Sequence, residues 1–455
     1  MEQNRSDIII IGAGMAGLEA ARCIGEAGHN AIVLEARDQI GGRVFTVRDS
    51  ADCPIELGAE FIHGRPPEIW ELIKSAKLDT REVKGDQWRL QGAELTKKDF
   101  FSDLEKILNK MDDRGLDRSF RDFLFECQDC DDHVKGWAME YIQGFHAAYP
   151  EKISLHSLVA SLEADEKIDG DRSFRLLKGY QQISEQLRRK INDHQVRILT
   201  STVVSEVRWR RGEVQVTAQS AAGNSRQTFE SSQCLVTLPL GVLQQPPETT
   251  GSVRFIPDIA QKRPILDQLT MGSVIRVTLR FREKFWEEAK LIPHAAGKNL
   301  SRLSFMFSHD EWFPTWWSHV DAKQPVLTGW AAGPRGAKLS NLADPELAEC
   351  ALDSLSRILG TEKNILQSLT MAAHVHNWQT DPFFRGAYSY ALVGGGNASR
   401  HLAEPMDDTL FFAGEAADFG GHSGTVHGAI ASGRRAAEQA LSTANASWRQ
   451  IRKSG

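Results

Sequence analysis

The sequence predicts an α/β protein of two interleaved domains, and three stretches carry that expectation. Near the N-terminus, Asp7 to Arg37 reads DIIIIGAGMAGLEAARCIGEAGHNAIVLEAR: an isoleucine run (Ile8 to Ile11), a glycine-rich turn, a helical stretch from about Met15 to Ala27, and a second apolar run, Ala31 to Leu34. Near the other end, Leu410 to Ala437 reads LFFAGEAADFGGHSGTVHGAIASGRRAA, a buried strand, a glycine-rich loop and a helix beginning near Thr425. Between them, Met271 to Phe281, MGSVIRVTLRF, alternates polar and apolar residues with the period of a strand. An apolar run without alternation is buried on both faces, as in a parallel sheet. At 455 residues the chain exceeds one ordinary core.

Each element of the first unit has a physical reason. Gly12 permits the tight turn, Gly14 lets the backbone approach a pyrophosphate, and Gly17 lets the helix pack closely on the strand. The phosphates would sit on the helix N-terminus, where free N–H groups and the macrodipole favour anions. Glu35 ends the second strand, where a carboxylate binds ribose hydroxyls and repels a 2′-phosphate. A GxGxxG flanked by strand, helix, strand and acidic residue specifies a Rossmann-type dinucleotide unit, which NAD and FAD both satisfy. The choice of FAD comes from Ile40 to Val44, IGGRV, and from the late glycine-rich stretch. There the small residues Gly428, Ala429, Ala431, Ser432 and Gly433 let the helix press against something flat or closely packed. A helix N-terminus aimed at the flavin N1 and O2 region would stabilise the negative charge that develops on reduction.

Composition excludes other classes. Hydrophobic content of 41% and charged content of 25% are those of a soluble globular protein, and a net charge of -6 gives no reason to bind nucleic acid or an anionic membrane. No run of about 18 apolar residues could span a bilayer. The start, MEQNRSD, lacks the hydrophobic core of a secretory signal, so a cytoplasmic location is expected. Six cysteines suggest reduced thiols. Cys127 and Cys130 form a CxxC near His133, but a zinc or redox site needs a second ligand pair or a thioredoxin-like setting, and the sequence shows neither. No metal is expected.

GAGMAGLEA, LEARDQIGGRV, ELGAEFIHG, VTLPLGVL, MGSVIRVTLRF, HNWQTDPFFRGAYSY and LFFAGEAADFGGHSGTVHGA occur in the order seen in flavin-dependent amine oxidases. The chain resembles that group, which contains monoamine oxidase, polyamine oxidase and the lysine-specific histone demethylases. The resemblance covers nearly the whole chain and is weakest from Gly85 to Arg172. It implies a glutathione-reductase-like FAD domain (1–78, 175–265 and 386–445) with an interleaved α+β substrate domain (79–174 and 266–385). Leu177 to Ile191 fits the helix that returns the chain to the FAD domain, and Val203 to Trp209 with Glu213 to Thr217 fits a hairpin around Arg210 to Gly212. By similarity, the main chain of Val204 holds the adenine edge, Arg43 the pyrophosphate and Glu415 the ribityl chain. Ala36, Arg37, Gly42, Gly58, Ala59, Trp378, Gly414, Thr425 and Val426 complete the implied FAD contacts.

Three departures from the family pattern matter. Ala387 stands where covalent monoamine oxidases carry a cysteine, so the FAD is expected to be noncovalent. Tyr388 matches one of two tyrosines that often face each other over the flavin, while the second position is Thr425. Arg276 aligns with the lysine that, across much of the family, reaches a water near flavin N5. Its place in an alternating strand has two readings, a solvated residue or one facing the active site, and the second is favoured because an arginine keeps the charge but not the geometry.

The implied reaction moves hydride from the carbon next to an amine nitrogen to the flavin, with O2 as electron acceptor and H2O2 as product. Tyr388 is the expected aromatic wall, with Phe383, Phe384 and Trp378 as second choices, and Tyr390 has no assigned role. His63 matches a histidine near the active site of polyamine oxidases, and Glu60 is placed to attract a second positive charge on a polyamine. Trp312, Trp316, Trp317 and Trp330 are expected to pack the substrate-domain sheet or, second, to line a tunnel. An L-amino acid oxidase is the alternative enzyme, with Arg65, Arg385 or Arg276 as carboxylate clamp. A flavoprotein retaining FAD structurally, or a demethylase acting on a protein tail, is a further reading, and the demethylase is disfavoured by the absence of a basic patch. A monomer or homodimer is expected.

Overall fold

The computed structural model describes residues 4–48, 53–220, 225–319 and 324–454; Met1 to Gln3 of the N-terminal stretch lie outside the described residues. The isoleucine run forms the strand Ile8–Ile11, buried on both faces as the absence of alternation requires. It sits at the centre of a five-stranded parallel sheet with the order Val196–Leu199, Ala31–Leu34, Ile8–Ile11, Gln233–Val236 and Leu410–Phe412. The two ends of the chain therefore share one sheet.

On one face of this sheet pack the helices Met15–Glu26 and Val426–Ser454, together with Gln182–Lys190. The small residues of the last helix serve close packing: a Cβ at Gly433 would lie 2.2 Å from the Ala16 carbonyl oxygen. On the other face lies a four-stranded sheet in which Thr202–Arg210 and Glu213–Ser220 form the expected hairpin, with a bulge between Val204 and Glu206. One expectation is corrected. The helix expected over Leu177 to Ile191 spans only Gln182–Lys190, because Gly179 takes φ +98° and turns the chain before it.

A second, seven-stranded mixed sheet has the order Thr370–Val375, Val274–Phe281, Val326–Ala332, Thr315–Ser318, Leu303–Phe307, Asp86–Gln91 and Glu94–Lys97. One face packs on helix Asp344–Leu359 through Ile275, Val277, Met306, Trp316, Leu327 and Ala331. Period-two alternation sends the intervening residues to the other face, which looks into a cavity. Four helices, Phe101–Leu108, Phe120–Glu126, Asp132–Phe145 and Leu155–Glu166, gather around Phe120, Trp137 and Tyr390 and close the cavity's far side. Tyr390 is thus a packing residue. No helix among the described residues is long and apolar enough to cross a membrane.

Candidate active site

A continuous cavity of about 1110 Å³ runs from the ends of the parallel sheet to the face of the seven-stranded sheet. At its first end the strand Ile8–Ile11 delivers Gly12 and Gly14. Gly12 turns at φ +104°, a region that side chains avoid. A Cβ at Gly14 would meet nothing nearer than the Gly42 Cα, at 4.0 Å, and one at Gly414 would meet no atom within 4 Å. The backbone leaves open space where any side chain would project, as a ligand in close contact with the main chain requires. Glu35 is buried at the end of the second strand, where it accepts the N–H groups of Ala13 (2.7 Å) and Arg37 (2.9 Å), and burial raises its carboxyl above the ordinary range. Val204, Ala36, Gly42, Gly58, Ala59, Trp378 and Val426 also line the cavity. The residues present fit a dinucleotide.

Arg43 and Glu415 meet midway. Arg43 Nη1 donates to Glu415 Oε1 at 3.0 Å and to the Ala387 carbonyl at 2.7 Å. The other Glu415 oxygen accepts from Ser389 Oγ (2.6 Å) and from the N–H groups of Ser389 (3.2 Å) and Gly424 (3.1 Å). Two expected contacts lie elsewhere. Gly17 faces the sheet, where its Cβ would stand 2.0 Å from the Gly12 oxygen, so it serves helix packing alone. Arg37 is not a lining residue; it lies between the rings of Phe45 and Phe384 and faces Asp381 at 3.7 Å.

At the other end, strand alternation carries Arg276, Phe305, Thr315, Trp317 and Trp330 to the cavity wall. The solvated reading of Arg276 fails: the residue is 3% exposed. Its Nη1 donates to the Gly58 carbonyl at 3.0 Å and its Nη2 pairs with Glu60. Glu60 also meets Arg175 Nε at 2.6 Å, His319 Nε2 at 3.1 Å and the Trp317 indole N–H at 3.1 Å. Burial alone would raise the Glu60 carboxyl, but the Arg175 and Arg276 guanidiniums outweigh it and hold the group well below the usual carboxylate range. The expectation that Glu60 attracts a substrate cation is therefore not met, since both its oxygens are engaged within the protein.

Beside this network the wall is largely aromatic. Tyr388 lines the cavity and donates its hydroxyl to the Phe145 carbonyl at 2.7 Å, while Tyr141 stacks on Phe145 with ring centroids 5.2 Å apart. Burial pushes both phenols up. His63 lies 5.3 Å from the Phe145 ring and 3.3 Å from Ser173 Oγ, and burial lowers it and His146 to about 4. At neutral pH neither imidazole carries charge. Thr425 lines the cavity, but its hydroxyl is used locally: it donates to the His422 carbonyl (2.6 Å) and accepts from the Gly428 N–H (3.0 Å), capping the last helix. Phe383 lines the cavity on the loop whose Phe384 approaches Gly42, at the dinucleotide end.

The four tryptophans divide. Trp316 packs in the core and Trp312 is surface-exposed, whereas Trp317 and Trp330 line the cavity with centroids 5.7 Å apart. Of the three arginines considered as a carboxylate clamp, only Arg276 lines the cavity; Arg65 stacks on Trp70 and Phe174, and Arg385 donates to the Thr250 carbonyl at 2.6 Å. Arg175, His319, Tyr141, Phe145 and His146 escaped sequence reasoning. Arg175 sits in the alternating strand Ser173–Leu176, a signal too short to place it, and the last three fall in the stretch of weakest resemblance.

The model of the family described as flavin containing amine oxidoreductase matches residues 15–124 and 112–441. Polyamine oxidase 4 of Oryza sativa subsp. japonica is 27% identical over 95% of this chain and 88% of its own length. Lysine-specific histone demethylase 1B of Mus musculus is 27% identical over 96% of this chain but only 53% of its own length. The wild-type putrescine oxidase bound to putrescine superposes with a TM-score of 0.78 over 96% of this chain and 99% of that one, at 21% identity, and so shares the fold. The dinucleotide cradle, the aromatic chamber joined to it and the family match over almost the entire chain lead to one conclusion: this protein belongs to the flavin-containing amine oxidoreductases.

Proposed function

We propose that the chain is an FAD-dependent amine oxidase that holds its FAD without a covalent bond and passes electrons to O2, giving H2O2. The observation that carries this reading is the cavity that joins the dinucleotide cradle to an aromatic chamber. In this proposal residues 1–78, 175–265 and 386–445 form a Rossmann-type FAD domain, and 79–174 and 266–385 form the substrate domain. The Val204 main chain holds adenine, Glu35 the ribose, Arg43 the pyrophosphate and Glu415 the ribityl chain. Ala387 offers no sulfur for a covalent link.

Bound flavin supplies a hydride acceptor for the carbon next to the amine nitrogen, and water then hydrolyses the imine. The chain's own residues prepare the substrate. Only a neutral amine has the lone pair that drives hydride loss, and a chamber of Tyr388, Tyr141, Phe145 and Trp317 desolvates an ammonium and lowers its pKa. His63, neutral and half-buried beside this wall, is placed to accept the released proton. Arg276, fixed by Gly58 and Glu60, supplies the fixed positive charge in place of the family's lysine.

Acid precipitation of the purified yellow protein tests the cofactor. The expected result is a colourless pellet and FAD in the supernatant, whereas a yellow pellet contradicts noncovalent binding. Peroxide formed with putrescine, longer polyamines or monoamines supports the oxidase reading; turnover with an artificial acceptor alone makes the protein a dehydrogenase.

A further inference from the structure

Cys127 and Cys130 take no part in the reaction above, and the fold brings them together. Cys127 ends the helix Phe120–Glu126, donating its N–H to the Phe123 and Leu124 carbonyls at 3.2 and 3.3 Å. Gln128 and Asp129 then form a turn, and Cys130 directly precedes Asp131, whose carboxylate caps the helix Asp132–Phe145 by accepting the His133 N–H at 2.7 Å. A four-residue turn holds its end Cα atoms within about 7 Å. A disulfide spans about 4.4–6.8 Å between Cα atoms, so the two thiols need little backbone movement to bond.

The surroundings distinguish these two from the other cysteines. Burial and the neighbouring Cys130 thiol raise the Cys127 thiol. Lys110 Nζ stands 3.5 Å from Cys130 Sγ, a cation beside a sulfur that is to act as nucleophile. Both cysteines are partly exposed, as are Cys23 and Cys350, while Cys53 and Cys234 are buried. Among the described residues no group of three or more His, Cys, Asp or Glu is arranged to hold a metal ion.

We propose that Cys127 and Cys130 are a modification site, a dithiol that hydrogen peroxide converts to a disulfide. The Cys130 sulfur attacks one peroxide oxygen, the O–O bond breaks, and a sulfenic acid and water result. The Cys127 sulfur then displaces the sulfenic oxygen as a second water, and the S–S bond forms. Two electrons and two protons pass from the thiols to the peroxide. The consequence reaches the cavity: both cysteines pack on the cluster around Trp137, and the helix that Cys130 precedes presents Trp137, Tyr141 and Phe145 to the chamber. Peroxide from the proposed oxidase reaction would arise within the same molecule.

The test supplies peroxide from outside, so it stands apart from the oxidase reading. Full-length holoprotein, reduced and freed of reductant, is treated with hydrogen peroxide, alkylated and mapped by mass spectrometry. Of the six cysteines, Cys127 and Cys130 should lose reactivity together, their peptide should lose two hydrogens, and dithiothreitol should restore both. In Cys127→Ser, dimedone should trap a sulfenic acid on Cys130. If both thiols remain alkylatable, if the peptide gains oxygen instead of losing hydrogen, or if Cys127→Ser leaves Cys130 unreactive to dimedone, the proposal fails.

Discussion

Arg276 and Glu60 stand 216 positions apart and share one ion pair that water barely reaches. Charges so placed are stable only while every partner is present. Glu60→Gln removes the carboxylate that faces two guanidiniums and should cost about 3–5 kcal/mol of stability, read by chemical denaturation; a loss under about 1 kcal/mol would show that the network is not what holds this wall. Arg276→Lys keeps the charge but cannot hold Gly58 and Glu60 with one planar fork. Reoxidation of the reduced flavin should change in that variant, and an unchanged rate would place Arg276 away from the reacting atoms. His63 adds a pH signature. Its folded pKa, about 4, lies below the ordinary value of 6.5, so the unfolded chain takes the proton first and stability is lost as pH falls from 6.5 toward 4. His63→Asn removes that contribution. The stability difference between wild type and variant should then shrink by roughly 1.4 kcal/mol per pH unit across that window, and a constant difference would contradict burial of the imidazole. At this scale the sequence was only half legible: alternation offered two readings of Arg276, and Arg175 and His319 gave no sign because their partner is distant in the chain.

Strands and helices were easier to read, because their signals are local. The isoleucine run, the glycine-rich turn and the hairpin lie where pattern alone puts them. Where tertiary packing decides, pattern fell short: a single turn at Gly179 shortened one helix, and the tryptophans split between core and cavity according to strand parity. Two glycines of the first glycine-rich motif, Gly14 and Gly17, separate binding from fold. Gly14 has φ −70° and open space at its Cβ, so Gly14→Ala should change stability by under about 0.5 kcal/mol while weakening FAD retention, because the methyl projects into the cradle. Gly17→Ala drives a methyl into the Gly12 carbonyl, 2.0 Å away, and should lower stability as well. Thermal unfolding with and without added FAD distinguishes the two; equal losses of stability in both variants would refute the distinction.

Over the whole molecule, interleaving is what builds the site. Both ends of the chain enter one parallel sheet, and the intervening sequence supplies the seven-stranded wall, so that neither part encloses the cavity alone. The seven-strand order and the helical cap were not legible, since they depend on pairings between distant segments and on the stretch from Gly85 to Arg172, where family resemblance is thinnest. Of the carboxylates on the cavity wall, Glu60 is already paired and Glu140 is held by Arg335 at 2.8 Å. The measurement that tests the central claim most directly is an anaerobic titration of the holoprotein with monoamines, polyamines and L-amino acids, followed by admission of air. The account predicts that an amine without a carboxylate bleaches the flavin and that air restores the colour with formation of peroxide. Bleaching by L-amino acids alone, or by none of the panel, would contradict it.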